Sequence, residues 1–141
     1  MPKERYLKTL RVLAECYQAF SRHDAAHARS LGYTPAQFDI VATLGNTPGM
    51  PFKELGEKTL ITKGTLTGVV DRLEGRGVVR RVGSPSDARS TIVQLTRKGE
   101  REFERVFRAH VVHLKRAFLM LDEAEMDRLD HLLGRLRAGF R

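Results

Sequence analysis

A chain of 141 residues has the length of one domain and can bury roughly two-thirds of its unfolded surface. It is 41% hydrophobic and 30% charged, no apolar run approaches the ~18 residues of a membrane span, and the start M-P-K-E-R-Y-L-K lacks a signal-peptide core, so a globular cytoplasmic protein is expected. The lone Cys16 excludes an internal disulfide framework, and a net charge of +8 points to a polyanionic partner, most often nucleic acid.

Taken in order, the chain reads first as a helix from Pro2 to about Ser30. Leu7, Leu10, Leu13, Ala14, Tyr17 and Phe20 form its apolar stripe. Leu31-Gly32 ends it. Thr34-Pro35-Ala36-Gln37 then has the parts of a helix start: a capping hydroxyl, a proline at the first position and a glutamine placed for a capping box. That helix runs through Phe38, Val41 and Leu44 until Gly45-Asn46-Thr47-Pro48-Gly49 stops it. A second short helix begins near Pro51 and uses Phe52, Leu55 and Leu60. The hydroxyl of Thr62 can cap the next, in which Leu66, Val69, Val70 and Leu73 fall at i, i+3, i+4 and i+7. Glu74-Gly75-Arg76-Gly77 ends it.

Val78 to Val82 and Thr91 to Leu95 have strand composition on either side of a polar turn, Gly83 to Ser90. Thr96 opens a long helix reaching about Leu121, with Phe103, Val106, Phe107, Val111, Leu114, Phe118 and Leu121 apolar. Asp122-Glu123-Ala124-Glu125 starts a last helix carrying Met126, Leu129, Leu132, Leu133, Leu136 and Phe140. The window Thr62 to Arg101 holds nine basic and four acidic residues, and so carries +5 of the +8.

The fold expected is mainly α with a small β-hairpin wing. A winged helix-turn-helix core, residues 34–95, lies between N- and C-terminal dimerisation helices, residues 1–31 and 96–141, in one domain spanning 1–141. Apolar stripes at both ends would stay uncovered in one copy, which favours a homodimer.

Three stretches carry a family resemblance. G-Y-T-P-A-Q-F-D-I-V-A-T-L (Gly32 to Leu44) and the run from Lys53 to Arg81 resemble the second helix and the helix-turn-helix of the MarR family of bacterial transcription regulators. S-D-A-R-S (Ser86 to Ser90), followed by Q-L-T-R-K-G (Gln94 to Gly99), is similar to that family's wing signature and strand exit. The resemblance implies a double-stranded-DNA-binding homodimer on a pseudo-palindromic operator, acting as a repressor and released by a small ligand, often aromatic or phenolic.

Reading a major groove requires short donors, acceptors and methyl groups on an outward helix face. With Leu66, Val69, Val70 and Leu73 turned inward, that face consists of Thr62, Lys63, Gly64, Thr65, Thr67, Gly68 and Arg72. Gly64 and Gly68 let the backbone approach DNA closely. The resemblance gives Arg72 a phosphate; the other reading of Arg72 is an ion pair with Asp71 or Glu74. Arg80 and Arg81 are backbone contacts or structural pairs, and Arg81 falls on a family arginine. By the same resemblance Arg89 enters the minor groove and Asp87 orients it, which suits the negative potential of a narrow groove.

For control, the resemblance implies a ligand pocket, which Tyr17, Phe20, His23, Tyr33 and Phe38 would line by where they fall; the other reading of these residues is plain core packing. Cys16 is a buried structural thiol or, as in one branch of the family, an oxidation sensor. His23 and His27, at i, i+4, and His110 and His113, at i, i+3, each form half of a metal site or plain polar packing. No nucleophile elbow, phosphate-binding loop, dinucleotide fingerprint or H-E-x-x-H is present, so neither an enzyme nor a cofactor is expected.

Overall fold

The computed structural model describes residues 4–59 and 61–141. Pro2 and Leu60, both placed in helices by the sequence, lie outside the described residues. Contacts divide the chain into two compact units, Met1–His110 and Val111–Arg141. Helix α5 (Arg97–Phe118) contributes to each. No helix among the described residues is long and apolar enough to cross a membrane.

The first unit opens with α1 (Tyr6–Ser30). It closes at Gly32, whose φ of +92° allows the Gly32 and Tyr33 N–H groups to reach back to the carbonyls of Arg29 and Ala28. Next comes α2 (Pro35–Leu44), held by the capping box read from sequence. Gln37 N–H donates to Thr34 Oγ1 at 3.2 Å, and Thr34 N–H donates to Gln37 Oε1 at 3.1 Å. Then follow β1 (Met50–Pro51), α3 (Phe52–Thr59), α4 (Lys63–Gly75), β2 (Val79–Gly83), β3 (Thr91–Leu95) and the start of α5.

The sheet is antiparallel in the order β1-β3-β2, with Val79 opposite Leu95, Gly83 opposite Thr91 and Met50 opposite Val93. Strand β1 is an addition to the expected hairpin. Pro51 is tolerated there because β1 is an edge and a proline lacks only the N–H that an edge need not pair. The second strand begins at Val79 rather than Val78, because Val78 is occupied in closing α4. Its N–H donates to Leu73 O at 3.0 Å, across Gly77 at φ +74°, and its carbonyl accepts from Thr96 N–H at 3.0 Å.

Ile40, Val41, Leu44, Leu55, Leu66, Val70, Leu73, Val79, Val93 and Val106 fill one core between the three short helices, the sheet and the start of α5. Thr96 seats α5 on this core. Its hydroxyl accepts from Gly99 N–H at 3.0 Å and donates to Gly77 O at 2.5 Å.

The junction of α1 and α2 is tied on both sides. Tyr33 is buried, and its hydroxyl donates to Glu102 Oε1 at 2.6 Å. Arg105 donates to both oxygens of Glu102, at 2.9 and 3.0 Å, and to Leu31 O at 3.3 Å. Burial first, then Glu102, push the Tyr33 hydroxyl up to about 12, while the bonds from Arg105 and then Tyr33 hold the Glu102 carboxyl down near 2.

On α2, Asp39 is half-buried; burial, then nearby Asp24, push its carboxyl from 3.8 to about 6, partly offset by the Thr43 hydroxyl. A raised carboxyl pKa means the folded chain holds that proton more tightly than the unfolded one. The penalty is absent below about pH 4 and grows as pH rises towards 6. Asp39→Asn is expected to raise the thermal midpoint near neutral pH and to leave it unchanged near pH 4. Full enclosure would make the shift worth roughly 3 kcal/mol, and the solvent still reaching Asp39 reduces it to roughly 1 kcal/mol.

In the second unit, α5 ends at Phe118 rather than Leu121. Met120 and Leu121 bond back to Ala117 and Phe118, a tighter turn that delivers Asp122 to cap α6 (Glu123–Ala138). The Asp122–Glu125 capping box forms, with bonds of 2.8 and 3.0 Å. Helix α6 buries none of its residues; Leu129, Leu132, Leu133 and Leu136 are exposed.

Candidate nucleic-acid interface

Helix α4 is fixed by its inward face. Leu66, Val69, Val70 and Leu73 are buried, which leaves Thr62, Lys63, Gly64, Thr65, Thr67 and Arg72 exposed and Gly68 half-buried. The expected capping by Thr62 does not occur in its usual form. Thr62 has extended cap geometry and its carbonyl opens the helix, but its hydroxyl donates to Thr65 Oγ1 at 3.1 Å instead of accepting an N–H. The first N–H groups of α4 therefore remain available to an anion.

Neither glycine on this face is required by the protein's own packing. A Cβ on Gly64 would meet nothing within 4 Å, and one on Gly68 would lie 4.0 Å from Arg72 Nη1. Alanine at 68 should stabilise the helix by about 1 kcal/mol on propensity alone. Gly68→Ala is thus expected to raise the thermal midpoint and to weaken operator binding. Unchanged operator affinity in an anisotropy titration would remove the close-approach reading.

Arg81 is engaged within the fold. Its guanidinium bonds Asp71 Oδ1 at 2.5 Å and Glu74 Oε1 at 2.6 Å, and lies 5.5 Å from the Phe52 ring centroid. Both carboxylates raise its pKa against the opposing effect of burial. Of the two readings open for Arg81, the structure contains the structural pair, joining β2 to α4. This also removes the suggested partners of Arg72, which makes no ion pair among the described residues. Arg80 Nε donates to Gln94 Oε1 across the hairpin.

At the wing tip, Asp87 Oδ1 accepts from the Arg89 backbone N–H at 2.9 Å. Asp87 holds the main chain of Arg89, whose exposed side chain makes no ion pair among the described residues. Arg89 lines one wall of a cleft of about 680 Å³ whose other walls include Lys53, Gly56 and Glu57 of α3 and Lys63, Leu66 and Thr67 of α4. The cleft brings together, from three elements, residues that the sequence placed separately on the helix and the wing. It also adds Lys53, which sequence reasoning missed. As a lone lysine at a helix start it carries no local signal.

The five residues suggested for a ligand pocket differ in their burial. Tyr33 and Phe38 are buried in the core, whereas Tyr17, Phe20 and His23 are exposed on α1. Cys16 is exposed, not buried, because its face of α1 is left uncovered in this chain. His27 and His110 do meet, with Nδ1 atoms 2.8 Å apart. His110 is buried against Phe38, and its Nε2 lies 2.6 Å from Asp24 Oδ1. The facing nitrogens bond one another when one ring carries the donor hydrogen and the other accepts it. No group of three or more His, Cys, Asp or Glu side chains among the described residues is arranged to hold a metal.

Comparison with known proteins agrees with this geometry. The profile of the MarR family matches residues 33–91, from Tyr33 to the first residue of β3. The HTH-type transcriptional regulator MhqR of Bacillus subtilis (strain 168) is 30% identical over 133 residues, covering 94% of this chain and 92% of its own. Sco3205 of Streptomyces coelicolor, a MarR family transcriptional regulator solved in complex with DNA, has a TM-score of 0.88 at 24% identity, over 100% of this chain and 94% of its own. NadR, solved in complex with 4-hydroxyphenylacetate, has a TM-score of 0.79 at 24% identity, over 96% of this chain and 97% of its own. With the winged helix-turn-helix formed and its helix face and wing lining one basic cleft, the chain belongs to the MarR family of DNA-binding transcriptional regulators.

Proposed function

We propose that the protein works as a homodimeric repressor on a pseudo-palindromic operator and is released by a small, aromatic or phenolic ligand. The observation that carries the DNA reading is the cleft. Lys53, Lys63, Thr67 and Arg89 line it together, so the N-terminal half of α4 enters a major groove while Arg89 reaches the flanking minor groove. Thr62, Thr65, Gly68 and Arg72 complete the helix face, Asp87 positions Arg89, and Arg81 acts on DNA by holding β2 against α4. Apolar side chains exposed on α1 (Leu7, Leu10, Tyr17 and Phe20) and on α6 (Leu132 and Leu133) support dimerisation, since a single copy leaves them in water. A dimer would set its two reading helices about 34 Å apart, one turn of DNA.

Release by a small molecule is supported by the ligand-bound relative NadR. Metal control through His23, His27, His110 and His113 has less support, because His27 and His110 already hold one another. Oxidation of Cys16 rests on its exposure alone. Footprinting on the DNA that flanks the protein's own gene tests the proposal. A protected pseudo-palindrome, bound far more tightly than random duplex and released by raised salt, is the expected result. Equal affinity for operator and random duplex would replace it with a non-specific nucleic-acid binder.

A further inference from the structure

Arg76 caps the C-terminal end of α4, opposite the end that carries Thr62, Lys63, Thr65 and Thr67, and both its backbone and its side chain are held. Its carbonyl accepts from Lys98 Nζ at 2.8 Å. Its guanidinium lies 4.3 Å from the Tyr33 ring centroid and donates to Gly32 O at 2.9 Å and to Gln37 Oε1 at 3.3 Å. The ring beneath it is fixed in turn, because Tyr33 donates to Glu102 and Glu102 is gripped by Arg105. The same Gln37 oxygen accepts from Thr34 N–H in the capping box of α2.

We propose that Arg76 is a positioning residue for operator recognition: seated on Tyr33 and bonded to Gly32 and Gln37, it sets the angle at which α4 meets DNA. The proposal rests on the reading of α4 as the groove-facing helix. A cation on an aromatic face near the surface contributes little to global stability, and the buried side of α4 already anchors the helix to the core. Direction is the more sensitive quantity. From Arg76 to Lys63 the helix is roughly 20 Å long, so a tilt of about 5° at its C-terminal end moves the reading end by roughly 1.7 Å. That displacement takes base-edge hydrogen bonds out of range, while phosphate attraction, which tolerates distance, survives. Arg76 would thus affect recognition of sequence without touching it, and would couple the α1–α2 junction and α5 to the angle of α4.

The test uses the full chain, an operator duplex defined by footprinting, and a random duplex of equal length. Arg76→Ala, Arg76→Lys and Tyr33→Leu are titrated against both by anisotropy across a salt series, with the thermal midpoint of each protein measured alongside. Arg76→Ala should weaken operator binding about tenfold and leave random-duplex affinity and the salt slope unchanged. Arg76→Lys should not restore it, since an ammonium cannot stack on the ring and bond two acceptors in one plane. The pair Arg76→Ala with Tyr33→Leu should cost less than the sum of the two.

A salt slope reduced by about one, with both duplexes weakened equally, would make Arg76 a phosphate contact and overturn the proposal. So would full rescue by lysine, or a loss accounted for by the unfolded fraction. A wild-type protein that does not separate operator from random duplex would instead bring down the reading of α4, and this proposal with it.

Discussion

Gly99→Ala is expected to destabilise the fold by about 3 kcal/mol. Gly99 is buried in the first turn of α5, and a Cβ built on it lies 2.0 Å from Val78 O and 3.0 Å from Val78 C. Two effects oppose each other. Alanine in place of glycine favours a helix by about 1 kcal/mol. The contact, however, is with backbone rather than with the end of a flexible side chain, and that backbone is already committed. Val78 closes α4 through Leu73 and accepts from Thr96. Either α5 must lift away or the base of β2 must shift, and both open the core around Val79 and Val106. Urea denaturation monitored by circular dichroism reads the outcome as a lowered midpoint. A midpoint equal to or above the wild type's would mean that propensity prevails and that α5 adjusts freely.

Arg89→Ala has the largest expected effect on function. Its side chain is exposed and uncommitted among the described residues, so the folded state loses no ion pair on truncation and the thermal midpoint should stay within error. Operator affinity should fall by about 10- to 100-fold, the loss for an arginine inserted into a groove. Arg89→Lys should recover part of the loss, because charge is kept while the fork of donors is not. A gel shift at moderate salt measures it, and operator affinity equal to the wild type's would sink the wing assignment.

How much was legible in the sequence depends on the range of each interaction. Features set by neighbours three or four residues apart were readable: the capping boxes at Thr34 and Asp122, the inward face of α4 and the glycine stops at Gly32 and Gly77. Strand β1 was not, because Met50 and Pro51 are extended only through pairing with Val93 and Ile92. Nor was the meeting of His27 with His110, 83 residues apart, or of Arg76 with Gly32, 44 apart. The role of Arg81 was half legible. Its acidic partners are visible at positions 71 and 74, where sequence offers them to Arg72 as the alternative to a phosphate, but the return of β2 along α4 supplies a better-placed cation. Whether Cys16 is buried is not legible in the sequence, because burial on α1 depends on what covers that face, which the helix period does not encode, and in the single chain Cys16 is exposed.

The base of the wing carries a consequence for the thermodynamics of association. Thr96 and Gly99 fasten the root of the hairpin to α5, and paired strands hold it as far as Gly83 and Thr91. Only residues 84–90 lie beyond the ladder, and they are internally bonded: Ser84 to Ser90 at 3.1 Å, Ser90 to Asp87 at 3.0 Å, and Arg89 to Asp87 at 2.9 Å. Freezing a free loop residue costs on the order of 1–2 kcal/mol, and much of that cost at this tip is met when the chain folds rather than when it binds. What remains to be ordered is mainly the side chain of Arg89, roughly 0.5–1.5 kcal/mol. The wing therefore approaches its groove preorganised, and its rotamer entropy, rather than its backbone, opposes binding.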